Sequence, residues 1–236
     1  MMTDKHISSQ FDSELRDVST RVLEMGGLAE AQVAQAMYAL ANFSGETATQ
    51  VLQHEDRINH LEVEIDTEMQ QIIAMRQPAA GDLRLLIAIS KASANLERVG
   101  DEAARIARTV QRLINTGVSS RLRLPVADLQ YEADLACAQL RKALDAFARL
   151  DVDAALEVLK HDDQIDQEFD GLMRKLITYM MEDPRMISSS IDLVFVAKAI
   201  ERVGDHAKNL AEAVIYVVKG TDVRHVTVPE VEKAVR

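Results

Sequence analysis

Two identical pentapeptides in the sequence each carry a pair of carboxylates that could bind a cation. The first is Glu97-Arg98-Val99-Gly100-Asp101 and the second is Glu201-Arg202-Val203-Gly204-Asp205. In a helix, residues four apart lie one turn above each other, so each pentapeptide places a glutamate and an aspartate on one side. Because like charges at this spacing destabilise a helix by about 0.2–0.5 kcal/mol, their repetition indicates a purpose. Neighbouring carboxylate oxygens are ligands that hard or borderline metal ions prefer.

A glycine lies inside each pentapeptide, at Gly100 and Gly204. A glycine within a helix costs about 1 kcal/mol relative to alanine. The outer positions around the first glycine are also small: Ser93, Ala94, Ala104 and Ala107. We interpret these small residues as room for a bound group to approach the backbone. This interpretation predicts that alanine at either glycine raises helix stability by about 1 kcal/mol and weakens metal binding or assembly.

A site with several metal ions needs more oxygen ligands than one helix offers, and the preceding helix of each repeat supplies candidates at the same spacing. We therefore predict eight carboxylate ligands: Glu62, Asp66, Glu97, Asp101, Asp166, Asp170, Glu201 and Asp205. The alternative, that these ladders are ordinary solvated helix faces, stays open. The alignment of the second helices also stays open, because Glu62 matches Phe169 at a separation of 107 residues but Asp166 at 104.

The pentapeptides belong to an internal repeat, in which they lie 104 positions apart. The same separation aligns Ala39, Leu40 and Phe43 with Ala143, Leu144 and Phe147. Between these blocks a separation of 107 aligns Ala48, Val51, Leu52, His54, Asp56 and Ile58 with Ala155, Val158, Leu159, His161, Asp163 and Ile165. We infer a duplicated unit in which one loop gains three residues and another loses them.

Glycine, proline and aspartate residues divide each repeat into three helices. In the first repeat we predict helices over 8–43 and 46–76, and a third from Asp82 to just before Gly117. In the second repeat, Leu124-Pro125, Asp151 and Glu182-Asp183-Pro184 mark the corresponding ends. A tail from about residue 220, with Pro229 and short β-branched stretches, is expected to be extended or partly ordered.

The third helix of each repeat carries a seam of apolar residues at alternating steps of four and three. This pattern is typical of left-handed helical bundles. Leu96 and Val99 fall on the seam, so Glu97 and Asp101 should face away from it. The predicted fold is all-α, with two tandem, pseudo-symmetric three-helix bundles at residues 1–116 and 117–236.

Composition excludes several classes of protein. Nucleic acid and anionic membrane are poor partners for a net charge of −11. An aromatic content of 4% with no tryptophan, together with few glycines and prolines, argues against a β-rich fold. The single Cys137 cannot form an internal disulfide, which fits a reducing compartment. No apolar run approaches the roughly 20 residues that span a bilayer, so the expected location is the cytoplasm without membrane insertion.

Enzymatic function is not expected, because the sequence lacks a phosphate-binding P-loop, a dinucleotide fingerprint and the Glu-x-x-His spacing of dimetal enzymes. A carboxylate-bridged metal enzyme and a metal-free helical adaptor remain the alternatives to a metal-binding regulator. A strip of arginines is a candidate partner surface or a source of internal salt bridges: Arg98, Arg105, Arg108 and Arg112.

At these residues the sequence resembles the PhoU family, the regulators associated with bacterial phosphate-specific transport. The resemblance extends over almost the whole chain. Besides the two pentapeptides it rests on several segments: His6-Ile7-Ser8-Ser9-Gln10-Phe11, Met25-Gly26-Gly27, Arg76-Gln77-Pro78, Asp82-Leu83-Arg84, Leu144-Asp145-Ala146-Phe147-Ala148-Arg149, Thr178-Tyr179-Met180-Met181-Glu182-Asp183, Val218-Lys219-Gly220 and Arg224-His225-Val226. The match is closest to proteobacterial members.

The resemblance implies two three-helix bundles with multinuclear metal clusters, bound through paired E(D)xxxD motifs that both pentapeptides match. It implies a negative regulator of the phosphate-starvation response that links the ATPase subunit of the phosphate ABC transporter to a sensor histidine kinase. Such a protein would sit beside inner-membrane complexes through its protein partners, and a homodimer stays open. Oxygen ligands suit Mg, Mn or Fe, and the affinity order also admits Zn or Ni.

Overall fold

The computed structural model describes residues 9–116 and 124–235, and within those ranges every regular element is a helix. The α-helices are α1 (Ser9–Asn42), α2 (Gly45–Arg76), α3 (Ala80–Asn115), α4 (Val126–Arg149), α5 (Val152–Lys160), α6 (Asp162–Glu182), α7 (Ile187–Lys219) and α8 (Val228–Val235), with a short 3₁₀ turn at Pro184–Met186. No helix in these ranges is long and apolar enough to cross a membrane.

The helix ends follow from capping residues in the sequence. Ser44 caps α2 by accepting a hydrogen bond from the amide of Thr47 at 3.2 Å. Asp151 caps α5 in the same way, accepting from the amide of Ala154 at 3.0 Å. Gln77, in the left-handed conformation just before Pro78, ends α2. The three helices predicted for the first repeat are therefore confirmed to within two residues at each described end.

Four long helices form the centre of the molecule, with α1, α3, α7 and α4 each packing against the next. The outer helix α2 packs on α1 and α3, while α5 and α6 pack on α4 and α7. This arrangement confirms the all-α fold of two helical bundles. The apolar side chains of both bundles merge into one core. The domain boundary at residue 117 stays a prediction, since residues 117–123 lie outside the described ranges.

The predicted seam is the buried side of α3 and α7. Leu96 and Val99 are fully buried, as are Ile200 and Val203 on α7. Leu85, at the start of the seam, is only partly buried. The seam therefore fixes the rotation of α3 and α7, and with it the direction in which the pentapeptide carboxylates point.

The alignment of the first helices at 104 residues is wrong, because the helix ends superpose at 107. Phe43 and Leu150 both end their helices with positive φ, at 49° and 50°. The next residue donates in each case to an alanine carbonyl at 2.9 Å, from Ser44 to Ala39 and from Asp151 to Ala146. Ala39 therefore corresponds to Ala146, and not to Ala143 as the sequence alignment had it.

Two further expectations need correction. The second helix of the second repeat is interrupted at His161, whose carbonyl accepts a hydrogen bond from Gln139 Nε2 at 2.7 Å instead of continuing the helix. The tail is not extended, since it forms α8. Thr227 and Glu230 make a capping pair at the start of α8, with the Thr227 hydroxyl donating to the glutamate at 2.7 Å. Val231 on α8 is buried, and α8 packs on α5.

Candidate metal centres

The carboxylates of the first repeat gather on the outer surface of α2 and α3. We call Glu55, Glu62, Asp66, Glu97 and Asp101 the first acidic cluster. Partial burial, followed by the charges of Asp66 and Asp101, raises the pKa of Glu62. Partial burial and the charges of Asp101 and Glu62 likewise raise the pKa of Glu97. The two helices therefore bring their carboxylates close enough to repel one another.

The second repeat builds a corresponding group on α6 and α7. We call Asp162, Asp166, Glu201 and Asp205 the second acidic cluster. Desolvation, then the charges of Asp162 and Glu201, raises the pKa of Asp166. Desolvation, then the charges of Glu201 and Asp162, raises the pKa of Asp205. Repulsion of this kind is relieved by a bound cation or by basic side chains.

Basic side chains occupy part of each cluster. Arg108 pairs with Glu55 at 2.9 Å in the first. In the second, Lys198 pairs with Glu201 at 2.6 Å and Lys208 pairs with Asp162. Across residues 9–116 and 124–235, no three carboxylate, histidine or cysteine groups already converge as metal ligands would.

The packing of the pentapeptide glycines settles the alignment of the second helices. Ile58 lies against Gly100 and Ile165 lies against Gly204, so α2 and α6 correspond at 107 residues. Glu62 is therefore equivalent to Phe169 and not to Asp166. Lys198 Nζ lies 5.4 Å from the centre of the Phe169 ring, and the residue equivalent to this lysine on α3 is Ala94.

Seven of the eight predicted ligands lie in the two clusters. The eighth, Asp170, is exposed on α6 and corresponds to Val63, which points into solvent with 65% exposure. Its role as a ligand stays a prediction. Sequence reasoning missed Glu55 and Asp162, which occupy equivalent positions 107 residues apart. The signal was present, because both are acidic and lie between two pairs of residues that the repeat preserves.

Comparison with known proteins decides the family. A PhoU domain is matched twice, over residues 22–110 and 131–214, and each match contains one pentapeptide. The chain belongs to the PhoU family. A PhoU homologue from Burkholderia, named a phosphate-specific transport system accessory protein, is 50% identical over 96% of each chain. A homologue of the same name from Pseudomonas aeruginosa is 46% identical, over 98% of this chain and 94% of its own.

A solved structure shows the same fold. The crystal structure of PhoU from Pseudomonas aeruginosa matches with a TM-score of 0.85 and 44% identity, over 89% of this chain and all of the other. The PhoU fold therefore places one acidic cluster on each repeat of this chain.

The small residues of the pentapeptides serve helix packing, which corrects our interpretation of them as room for a bound group. Gly100 and Gly204 are buried, and so are Ser93, Ala104 and Ala107. A Cβ added at Gly100 would lie 3.1 Å from Ile58 Cδ1, and one added at Gly204 would lie 2.7 Å from Ile165 Cδ1. The glycines let the second helix of each repeat approach the third.

We therefore expect Gly204→Ala to destabilise the protein. Overpacking a buried contact costs about 1–3 kcal/mol, against a helix gain of about 1 kcal/mol, so the free energy of unfolding should fall by about 1 kcal/mol. Ile165→Val removes the contacting Cδ1, and in that background Gly204→Ala should be neutral or stabilising. Urea unfolding of the four proteins with EDTA present measures the coupling.

Gly171→Ala is the matched control for this cycle. Gly171 also lies inside a helix, but a Cβ there would meet nothing within 4 Å, so alanine should raise stability by about 1 kcal/mol. Stabilisation by Gly204→Ala alone, equal to that at Gly171, would show that the close contact with Ile165 does not constrain the helix.

A buried pair of carboxyl groups lies behind the second acidic cluster. Glu132 on α4 is 1% exposed, and neither of its carboxylate oxygens has a hydrogen-bond partner among the described residues. Oε2 of Glu201 is also buried without one. Burial, then the charges of Glu201 and Glu168, raises the pKa of Glu132 to about 8. Glu201 therefore faces carboxylates both at the surface and in the core.

The arginine strip makes internal ion pairs at three of its four positions. Arg105 pairs with Glu102 at 3.3 Å, and Arg108 pairs with Glu55. Arg112 reaches across to the second bundle and pairs with Asp192 at 2.8 Å. These contacts match the salt-bridge alternative for the strip, and the Arg112 pair joins the two bundles.

Proposed function

We propose that the protein is a metal-binding negative regulator of the phosphate-starvation response. It would link the ATPase subunit of a phosphate ABC transporter to a sensor histidine kinase, and would reach the membrane through these partners. The observation that carries this proposal is the family match over both repeats, since its relatives are named accessory proteins of phosphate-specific transport. That naming also supports a role without catalysis.

The chemistry of the acidic clusters supports metal binding. Each cluster offers only carboxylate oxygens, which suit Mg, Mn or Fe and also accept Zn or Ni. The buried, unpartnered Oε2 of Glu201 and the raised pKa of Glu62, Glu97, Asp166 and Asp205 indicate negative charge that a divalent ion would compensate. Glu97 and Asp101 would hold ions in the first repeat, and Glu201 and Asp205 in the second.

A metal-free adaptor is the second candidate, and the ion pairs favour it. Lys198 and Lys208 already neutralise part of the second acidic cluster, and Arg108 does so in the first. In this case the helical surfaces alone would contact the transporter and the kinase. Both candidates predict the same regulation and differ in metal content.

Deletion of the gene tests the regulatory proposal. In high phosphate, a reporter fused to a phosphate-starvation promoter should be silent in the parent strain and strongly expressed in the deletion strain. A plasmid copy of the gene should restore silence. Unchanged reporter activity in the deletion strain would contradict negative regulation, whichever candidate describes the surface clusters.

A further inference from the structure

A charged groove of about 700 Å³ lies between α3, α7 and the segment that joins α7 to α8. Its volume lies within the range of small-molecule sites. Its lining includes four residues of α3 and their four counterparts on α7: Arg98, Asp101, Glu102 and Arg105, and Arg202, Asp205, His206 and Asn209. The internal repeat therefore places equivalent surfaces opposite each other. Arg224 from the joining segment lines the groove as well.

Arginines approach one another in this groove despite their like charge. Glu102, which is 5% exposed, pairs with Arg202 at 3.1 Å and with Arg105 at 3.3 Å. Arg98 makes no ion pair within the described ranges, and its charge acts together with that of Arg202 on His206. One buried carboxylate therefore serves several guanidinium groups, and the guanidinium group of Arg98 is free to bind a ligand.

The orientation of His206 is fixed without using a positive charge. Its Nδ1 lies 3.0 Å from Asn95 Oδ1, which also accepts a hydrogen bond from Asn209 at 3.0 Å. This contact joins α3 to α7 at the groove. The side of the groove near His206 is therefore held by neutral hydrogen bonds, while the arginines remain the cationic groups.

Carboxylates stand beside these arginines, with one aspartate on each side, Asp101 and Asp205. A simple anion would be attracted by the arginines and repelled by the aspartates. A phosphate chain that carries a magnesium ion satisfies both groups. Arginine forks match phosphate oxygens, and Mg²⁺ is commonly bound by one or two carboxylates together with ligand phosphates.

We propose that the groove between α3 and α7 binds a magnesium-complexed di- or triphosphate. Arg98 and Arg202 contact the phosphates, while Asp101 and Asp205 face the cation. The volume of the groove accommodates a ligand of nucleotide size. This proposal goes beyond the regulatory function, because binding is measured on the purified protein and does not depend on the reporter experiment.

Isothermal titration calorimetry of the full chain tests the proposal with two probes, pyrophosphate and ATP, in buffer containing magnesium. We expect saturable binding of at least one probe, and at least a tenfold loss of affinity when EDTA replaces magnesium. Adenosine, which lacks phosphate, should not bind. Failure of both probes to bind, equal affinity without magnesium, or equal binding of adenosine would overturn the proposal.

Variants locate the binding to the groove. Arg98→Gln removes an exposed arginine that has no ion pair to lose, so it should fold normally and weaken binding about tenfold, as expected for a lost charged hydrogen bond. Arg202→Lys keeps the charge that Glu102 needs but loses the planar fork, and should also weaken binding. Arg174→Gln, on the exposed side of α6, is the charge-matched control. An affinity that is the same in Arg98→Gln and Arg174→Gln would overturn the assignment.

Discussion

Glu132→Gln should stabilise the protein at alkaline pH and have little effect near pH 5. The pKa of Glu132 is raised from 4.5 to about 8 by burial and by Glu201 and Glu168, so the folded protein binds a proton that the unfolded chain releases. The stabilisation from that proton is complete below about pH 4.5 and is lost as the pH rises through about 8. Glutamine has the same shape and no charge to bury.

At pH 9 we expect the free energy of unfolding of Glu132→Gln to exceed that of the parent by about 2–4 kcal/mol, a substantial part of the shift in pKa converted at 1.36 kcal/mol per unit. Urea unfolding between pH 5 and pH 9, with EDTA present, measures the difference. Glu182→Gln is the control, because Glu182 is exposed at the end of α6. The same dependence on pH in all three proteins would contradict an unpaired buried carboxyl group at Glu132.

The two acidic clusters should differ in metal affinity, with the first binding more tightly. Where the first has Glu62 and Ala94, the second has Phe169 and Lys198. Lys198 holds Glu201 at 2.6 Å, so an ion must displace it before that carboxylate can bind. We expect Lys198→Ala to raise the metal affinity of the second cluster about tenfold, which corresponds to about 1.4 kcal/mol. Competition with a chelator of known affinity measures the change.

Arg174→Gln is also the control for Lys198→Ala, since it removes a positive charge from the same bundle without contacting the cluster. Equal metal affinity in the two variants would show that Lys198 does not compete with the ion. Prior removal of metal from all the proteins makes their starting states equal.

The sequence predicted the helices well because their ends are marked by local chemistry. Ser44 and Asp151 are capping residues, and Pro78 cannot continue a helix. The seam through Leu96 and Val99 was predicted correctly for a related reason, since its period of alternating threes and fours belongs to a packed helix. These signals need no knowledge of the neighbouring elements.

The alignment of the first helices could not be fixed in this way. A slip of three residues moves an apolar residue by about one turn, so Ala39 and Leu40 match apolar partners at 104 as well as at 107. Only the left-handed residues Phe43 and Leu150 distinguish the two alignments, and backbone conformation is not visible in the pattern.

The role of the glycines was missed because the heptad pattern places Gly100 beside the seam and not on it. A helix packed on several neighbours buries a face wider than a two-position seam, and Ile58 occupies the added width. The ligand candidates were found by spacing within one helix. Glu55 and Asp162 were missed because their membership depends on contact between helices.

The metal content of the purified protein tests the central claim, that both repeats hold metal ions on their carboxylates. The measurement is elemental analysis of the parent, of Glu97→Gln with Asp101→Asn, and of Glu201→Gln with Asp205→Asn, all purified without chelator. We expect bound metal in the parent, a large loss in the first variant and a smaller loss in the second. A metal-free parent, or metal content unchanged in both variants, would contradict the claim.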